Sequence, residues 1–200
     1  MTELRYEAPE SLDAAIALLT GAGGSGRVMA GGTDVLVQLH AEMIEPSVLV
    51  DIKNIPDVRA MSETGGAWTV GAAVTGMKII DNPAFSAAWP GVCEGVALIG
   101  SMQVKGRASI GGNLCNGSPA ADSVPAIIAA GAIATIIGPN GTREEPVENI
   151  ITAPGKTSLA EGEIIVSFAF PERLPHSGDC YLRLTPRTEM DIAVVGVGVN

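Results

Sequence analysis

Between residues 27 and 52 the chain reads RVMA, GGTD, VLVQLHAEM, IEP and SVLVDI, and this run limits the possible folds more than any other. Two short strand-like segments flank a stretch long enough to be a helix. Strand, helix, strand in that order is a βαβ unit, whose strands lie parallel. A parallel sheet is therefore expected up to about residue 55. Ahead of it, Leu12, Ala15, Ile16 and Leu19 repeat at the spacing of one helix face, which predicts a helix over Pro9–Leu19 capped by Ser11.

Beyond residue 55 the pattern changes. VRAMSETGGAWTVGAAV holds two strand-like runs separated by Thr64, Gly65 and Gly66, and GAIATIIGPNGTREEPV repeats the form around Pro139, Asn140 and Gly141. Both read as hairpins. EGEIIVSFAFP adds a strand, and the proline-interrupted stretch TGMKIIDNPAFSAAWPGVCEGVALIG reads as short helices. The fold class is thus α+β: a small βαβ lobe over residues 1–55 and a larger, mainly antiparallel lobe over residues 56–175. Unlike lobes in one chain commonly hold a ligand between them. The tail over residues 176–200 ends in the apolar strand DIAVVGVGVN with nothing following to cover it. We expect this tail to begin a further domain inside which the chain stops.

The 200 residues carry 12 Lys+Arg against 22 Asp+Glu, a net charge of −10. That sign opposes a nucleic-acid surface. The apolar run near Ile127–Ile137 is broken by Gly131 and bounded by Pro125 and Pro139, too short for a bilayer. The N-terminus carries acids where a secretory leader needs a basic segment, so a cytoplasmic protein is expected. Cys93, Cys115 and Cys180 are far apart, and His40 and His176 are the only histidines. Neither a disulfide framework nor a metal site follows from that set.

Three motif matches fail on context. Gly21, Gly23 and Gly26 fit GxGxxG but follow a helix and precede a strand, the reverse of a dinucleotide fingerprint. Gly155-Lys156-Thr157 ends like a phosphate loop, yet Ile150 stands where its first glycine belongs. Asn116-Gly117-Ser118 is a glycosylation sequon without a secretory context.

Two glycine pairs sit in better context. Gly31 and Gly32 end the strand RVMA and precede a helix opened by Thr33 and Asp34. Missing side chains let the chain turn sharply and expose amides, an arrangement suited to a diphosphate. A strand-to-helix turn without a ligand satisfies the same pattern. In the uncharged stretch ASIGGNLCNGSPAA, Ser109, Ile110, Gly111, Gly112 and Asn113 read as a second double-glycine turn. SPAAD would then start a helix capped by Ser118 or Asp122. Close packing of two elements is the competing explanation. One extended anionic ligand across both lobes explains both pairs, with Asp122 either an acceptor for its hydroxyls or simply a cap.

AGGTDVLVQL, QVKGRASIGGNLCNGSPAADSVPAIIAAGA and LRLTPRTEMDIAVVGVGV, in that order, resemble the FAD-binding medium subunit of the molybdenum hydroxylases, a family that includes xanthine, carbon monoxide and nicotine dehydrogenases. The resemblance implies a two-lobed PCMH-type FAD-binding fold followed by the start of a C-terminal α/β domain. It puts the first FAD loop at Val28, Met29, Ala30, Gly31, Gly32, Thr33, Asp34 and Val35. The second falls at Ser109, Ile110, Gly111, Gly112 and Asn113. Asp122 would bind cofactor hydroxyls, Ile99 would stand beside the isoalloxazine, Ile165 beneath the cofactor and Arg183 near the flavin ring. Neither histidine suits covalent attachment, so noncovalent FAD is expected.

The resemblance further implies an electron-transfer subunit of a multi-subunit molybdenum-containing hydroxylase. A large molybdopterin-binding subunit and a small [2Fe-2S] subunit would be its partners, in a dimer of heterotrimers, with NAD or another acceptor taking the electrons. Ile99 and Ile165 are equally consistent with ordinary core positions. A stand-alone flavoprotein oxidase of the same broad fold and a flavin-free structural subunit are the alternatives. No acid–base or nucleophile constellation is visible, so chemistry would rest on the cofactor.

Overall fold

The computed structural model describes residues 4–187 and 191–200; residues 188–190 of the C-terminal motif lie outside them. The first lobe is a three-stranded parallel sheet in the order β1-β3-β2, formed by β1 (Arg5–Glu7), β2 (Gly26–Met29) and β3 (Val48–Asp51). Helix α1 (Leu12–Gly21) starts at Ser11, whose side chain accepts from the Ala14 N–H. Helix α2 (Val35–His40) is shorter than VLVQLHAEM suggests. Glu42 takes a positive φ of 54°, and the Met43 N–H closes back on the Gln38 carbonyl, which ends the helix there.

The second lobe centres on a five-stranded antiparallel sheet, order β4-β5-β10-β6-β7. Its strands are β4 (Met61–Thr64), β5 (Ala67–Gly71), β6 (Ile133–Gly138), β7 (Gly141–Pro146) and β10 (Ile164–Phe170). Both anticipated hairpins form. Gly65 and Gly66, at φ 59° and 84°, make the first turn, as a two-residue loop between twisted strands requires. Between the hairpins run α3 (Gly76–Ile80), α4 (Pro83–Ala88), α5 (Pro90–Ala97), α6 (Met102–Lys105), α7 (Ile110–Asn116) and α8 (Ser123–Ala129). Two small strands, β8 (Ile151–Ala153) and β9 (Lys156–Thr157), precede β10. Trp68, Phe85 and Phe170 meet edge to face in the core of this lobe, with ring centroids 5.3 Å apart.

The two lobes share a core. Val58, Ala73 and Ile164 are buried together with Ala15, Leu19, Val48, Val50 and Ile52, so the angle between the sheets is fixed by packing. The tail forms a hairpin of β11 (Cys180–Leu184) and β12 (Val195–Val199). It is not uncovered, as the sequence suggested, but half-covered. Gly198 lies so close to the Pro125 carbonyl that a Cβ there would overlap it, which seats this strand on α8. The outward side chains Leu182, Leu184, Val195, Val197 and Val199 remain exposed.

Candidate functional site

A cleft of about 800 Å³ opens between the lobes, within the usual size of ligand sites. The first lobe contributes Val28, Ala30, Gly31, Gly32, Thr33, Asp34 and Val35 to its walls, and the second Ile99, Ser109, Gly111, Gly112, Asn113 and Ile165. Both glycine pairs therefore face one space. They meet because Gly31 sits against the chain leading into α7: a Cβ at Gly31 would overlap the Arg107 carbonyl oxygen, and the Arg107 Nε donates to the Gly31 carbonyl at 3.0 Å.

The first loop presents bare amides. Gly32 adopts φ 80°, the left-handed region that favours glycine, and its carbonyl accepts the Leu36 N–H to begin the helix. Among the described residues, none of the N–H groups of Gly31, Gly32, Thr33 and Asp34 donates to a backbone carbonyl. Asp34, at the N-cap position, makes no capping bond either. A run of adjacent donors with no acceptor among the described residues, opening into a cleft, fits the oxygens of a diphosphate.

The second glycine pair is built differently from the expected turn. Ser109 to Asn113 form the cap and first turns of α7 itself, because the buried Ser109 hydroxyl accepts from the Gly112 N–H at 3.1 Å. Gly111 is small for a packing reason: a Cβ there would lie 2.5 Å from the Ala72 carbonyl oxygen. Gly112 has ordinary room, its nearest neighbour being the Ser109 hydroxyl at 3.4 Å. Of the two caps expected for the helix after SPAAD, Asp122 holds the N-cap position and the helix begins at Ser123, while Ser118 instead accepts from the Ala120 N–H.

The charged residues on the cleft walls are Arg27, Asp34, Glu161 and Glu163. Burial pushes the Asp34 carboxyl above its ordinary range. Glu163 goes the other way: bidentate bonds from Arg143 at 2.8 and 2.9 Å, with the Ala160 N–H, hold it below the usual range. Its charge is thereby committed to Arg143. No lysine lines the cleft, so an anion here would rely on peptide dipoles more than on side-chain cations.

Four of the expected residues are not on these walls. Met29 and Ile110 are turned into the core. Asp122 and Arg183 are bonded to each other: one Asp122 oxygen accepts from Arg183 at 2.9 Å and the other from the Tyr181 hydroxyl at 3.0 Å. Asp122 makes no side-chain capping bond to α8.

Other lining residues were not among the expected site residues. Gln38 of α2 donates to Asn116 of α7 at 2.9 Å, a direct link between the lobes beside the cleft. The segment from Leu159 to Ile164 closes another side. Gly162, at φ 80°, lets that segment approach Thr20, and Glu161 faces Gly24. Cys115 also opens onto the cleft. Among the described residues no cluster of His, Cys, Asp and Glu could hold a metal ion, and no helix is long and apolar enough to cross a membrane.

Residues 2–173 match the family model described as the FAD binding domain in molybdopterin dehydrogenase. The chain is 34% identical over 176 residues to the putative xanthine dehydrogenase FAD-binding subunit of Escherichia coli K12, which covers 87% of this chain and 60% of that protein. It is 32% identical over 194 residues to the carbon monoxide dehydrogenase medium chain of Hydrogenophaga pseudoflava, covering 97% of this chain and 67% of that one. The fold superposes on the solved carbon monoxide dehydrogenase from the same organism with a TM-score of 0.92, again over 97% of this chain and 67% of that chain. Quinoline 2-oxidoreductase from Pseudomonas putida 86 gives a TM-score of 0.90 at 26% identity, over 97% of this chain and 67% of that chain. The chain thus spans 60 to 67% of the length of these relatives. With the α+β architecture, the interlobe cleft and these matches in agreement, the chain belongs to the family of FAD-binding domains of molybdopterin dehydrogenases.

Proposed function

We propose that the cleft holds FAD noncovalently and that the chain is the flavin-carrying component of a multi-subunit molybdenum-containing hydroxylase. The observation that carries this reading is the row of unbonded amides from Gly31 to Asp34, set across a cleft from Gly112 and Asn113. These amides would hold the diphosphate, while Ile99 and Ile165 give the ring an apolar wall. Bound there, FAD would accept electrons singly from the [2Fe-2S] centres of a small partner subunit and release them in pairs to NAD or another acceptor. Hydroxylation itself would belong to a large molybdopterin-bearing partner, in a dimer of heterotrimers. What this chain's own residues do is bind, orient and exclude water. Its unpaired cysteines suit the reducing cytoplasm, where we place it.

Incubated with FAD, the purified chain should retain a stoichiometric, yellow flavin that small alcohols leave oxidised and that becomes reduced only when partner subunits and their substrate are added. Reduction by an alcohol alone would make it a self-sufficient oxidase, and a colourless chain would make it a structural subunit. Cys115 supplies an independent probe. Its surface is open to the cleft, yet the surrounding walls desolvate the thiol and push it up to about 12, so maleimide labelling near neutral pH should be slow. FAD should slow it further while leaving the exposed Cys180, outside the cleft, unaffected. Equal labelling of Cys115 with and without FAD would place the flavin elsewhere.

A further inference from the structure

The unbonded amides of the first loop need something to aim them, because a glycine pair has more conformational freedom than any other dipeptide. In a trans peptide the C=O and N–H point in opposite directions, so whatever fixes a carbonyl also aims the next residue's N–H. Both relevant carbonyls are fixed by cations. Lys53 Nζ donates to the Ala30 carbonyl at 2.9 Å, and Arg107 Nε to the Gly31 carbonyl at 3.0 Å. The first contact turns the Gly31 N–H away from Lys53, and the second turns the Gly32 N–H away from Arg107. Neither Lys53 nor Arg107 is on the cleft wall, so both act from behind the peptide planes.

Lys53 is itself held. Its ammonium also donates to both oxygens of the buried Asp51, at 2.7 and 2.6 Å, and Asp51 accepts in turn from the Tyr6 hydroxyl at 2.6 Å. Burial alone would raise the Asp51 carboxyl, but the bonds from Lys53 and Tyr6 outweigh it and keep it below the ordinary range. An ammonium has three donors, and here all of them are spent inside the protein. Lys53 is therefore a fixed charge on the loop and not a side chain waiting for a ligand. Tyr6, Asp51 and Lys53 belong to the first lobe, whereas Arg107 comes from the second, so the amides are correctly aimed only when the lobes are docked.

We propose that Lys53 and Arg107 are positioning residues for the diphosphate: one cation from each lobe clamps consecutive peptide planes and directs their N–H groups into the cleft. This rests on the FAD reading given above and specifies how its loop works.

The test compares FAD with riboflavin, which lacks the diphosphate, by fluorescence titration of the chain. Arg107→Met should weaken FAD about tenfold or more and leave riboflavin nearly unchanged, and Arg107→Lys should recover most of the loss. Lys53→Met alone would strand a buried carboxylate, so the Lys53→Met/Asp51→Asn double variant is used to remove both charges together. It should show the same selective loss, with the Tm of the ligand-free protein within about 3 °C of the original. Equal FAD affinity in the variants, or parallel losses for FAD and riboflavin, would overturn the clamp while leaving the FAD reading in place. An unmodified chain that binds no FAD would overturn the reading beneath it as well.

Discussion

Gly31→Ala should abolish stoichiometric FAD binding, raising the dissociation constant at least about 100-fold, and should lower folding stability by about 3 kcal/mol. The added Cβ would overlap the Arg107 carbonyl oxygen and lie 2.5 Å from the Arg107 carbonyl carbon and 3.0 Å from the Ala108 nitrogen. All three are backbone atoms, which cannot swing aside as a side-chain tip does. Relief requires the loop of the first lobe to withdraw from the segment entering α7, and that withdrawal breaks the bond from Arg107 to the Gly31 carbonyl. Cleft geometry and lobe docking would thus be lost together.

Gly32→Ala is milder in contact but strained in backbone. Its nearest neighbour is the flexible Leu36 side chain at 3.0 Å, while φ 80° costs a non-glycine residue about 1–3 kcal/mol. Gly112→Ala, with 3.4 Å of room, is the control and should change stability little. Urea unfolding with FAD fluorescence titration checks the series. A Gly31→Ala protein with an unchanged midpoint and full FAD would show that the lobes do not need this approach.

The contrast among these glycines shows what the sequence could and could not disclose. The βαβ unit was legible because two short strand-like runs and a glycine pair between strand and helix are local signals. The hairpins were legible for the same reason, through Gly65-Gly66 and Pro139-Asn140. Strand β1 was not: its three residues RYE show no apolar alternation, and it exists because Val48–Val50, over forty positions away, offers a free edge. The second glycine pair was recognised as a place of close approach but not as a helix. Composition alone does not reveal that the Ser109 hydroxyl caps the Gly112 amide. Lys53 lay outside every motif, and Arg107, though inside the stretch QVKGRASIGG, was not marked as a site residue, since each meets the loop through a backbone carbonyl that any residue type supplies. Glu161 and Gly162 reach the cleft through the path of a connection, which local patterns do not encode.

Asp122→Ala bears on the remaining question, whether this acid serves the cofactor or the fold. Asp122 is 8% exposed, and both of its oxygens are engaged, one by the Tyr181 hydroxyl and one by Arg183. Burial, reinforced by the Asp122 hydrogen bond, raises the Tyr181 phenol, so it remains a donor across the working pH range. Truncation leaves a mostly buried guanidinium without its counterion and a buried hydroxyl without an acceptor, at a cost of about 3 kcal/mol. Asp122→Asn keeps an acceptor but loses the charge, and should cost about half as much. Because Tyr181 and Arg183 lie on β11 and Asp122 at the start of α8, the loss should appear as release of the β11–β12 hairpin from that helix. Faster amide exchange in β12, where Gly198 rests on the Pro125 carbonyl, would report it. On this geometry the FAD dissociation constant moves by less than about threefold, well under the tenfold per 1.4 kcal/mol that a lost cofactor bond would produce. A tenfold weaker FAD complex with unchanged stability would instead make Asp122 a ligand of the cofactor hydroxyls. Its bonds to Tyr181 and Arg183 would then have to open when FAD enters.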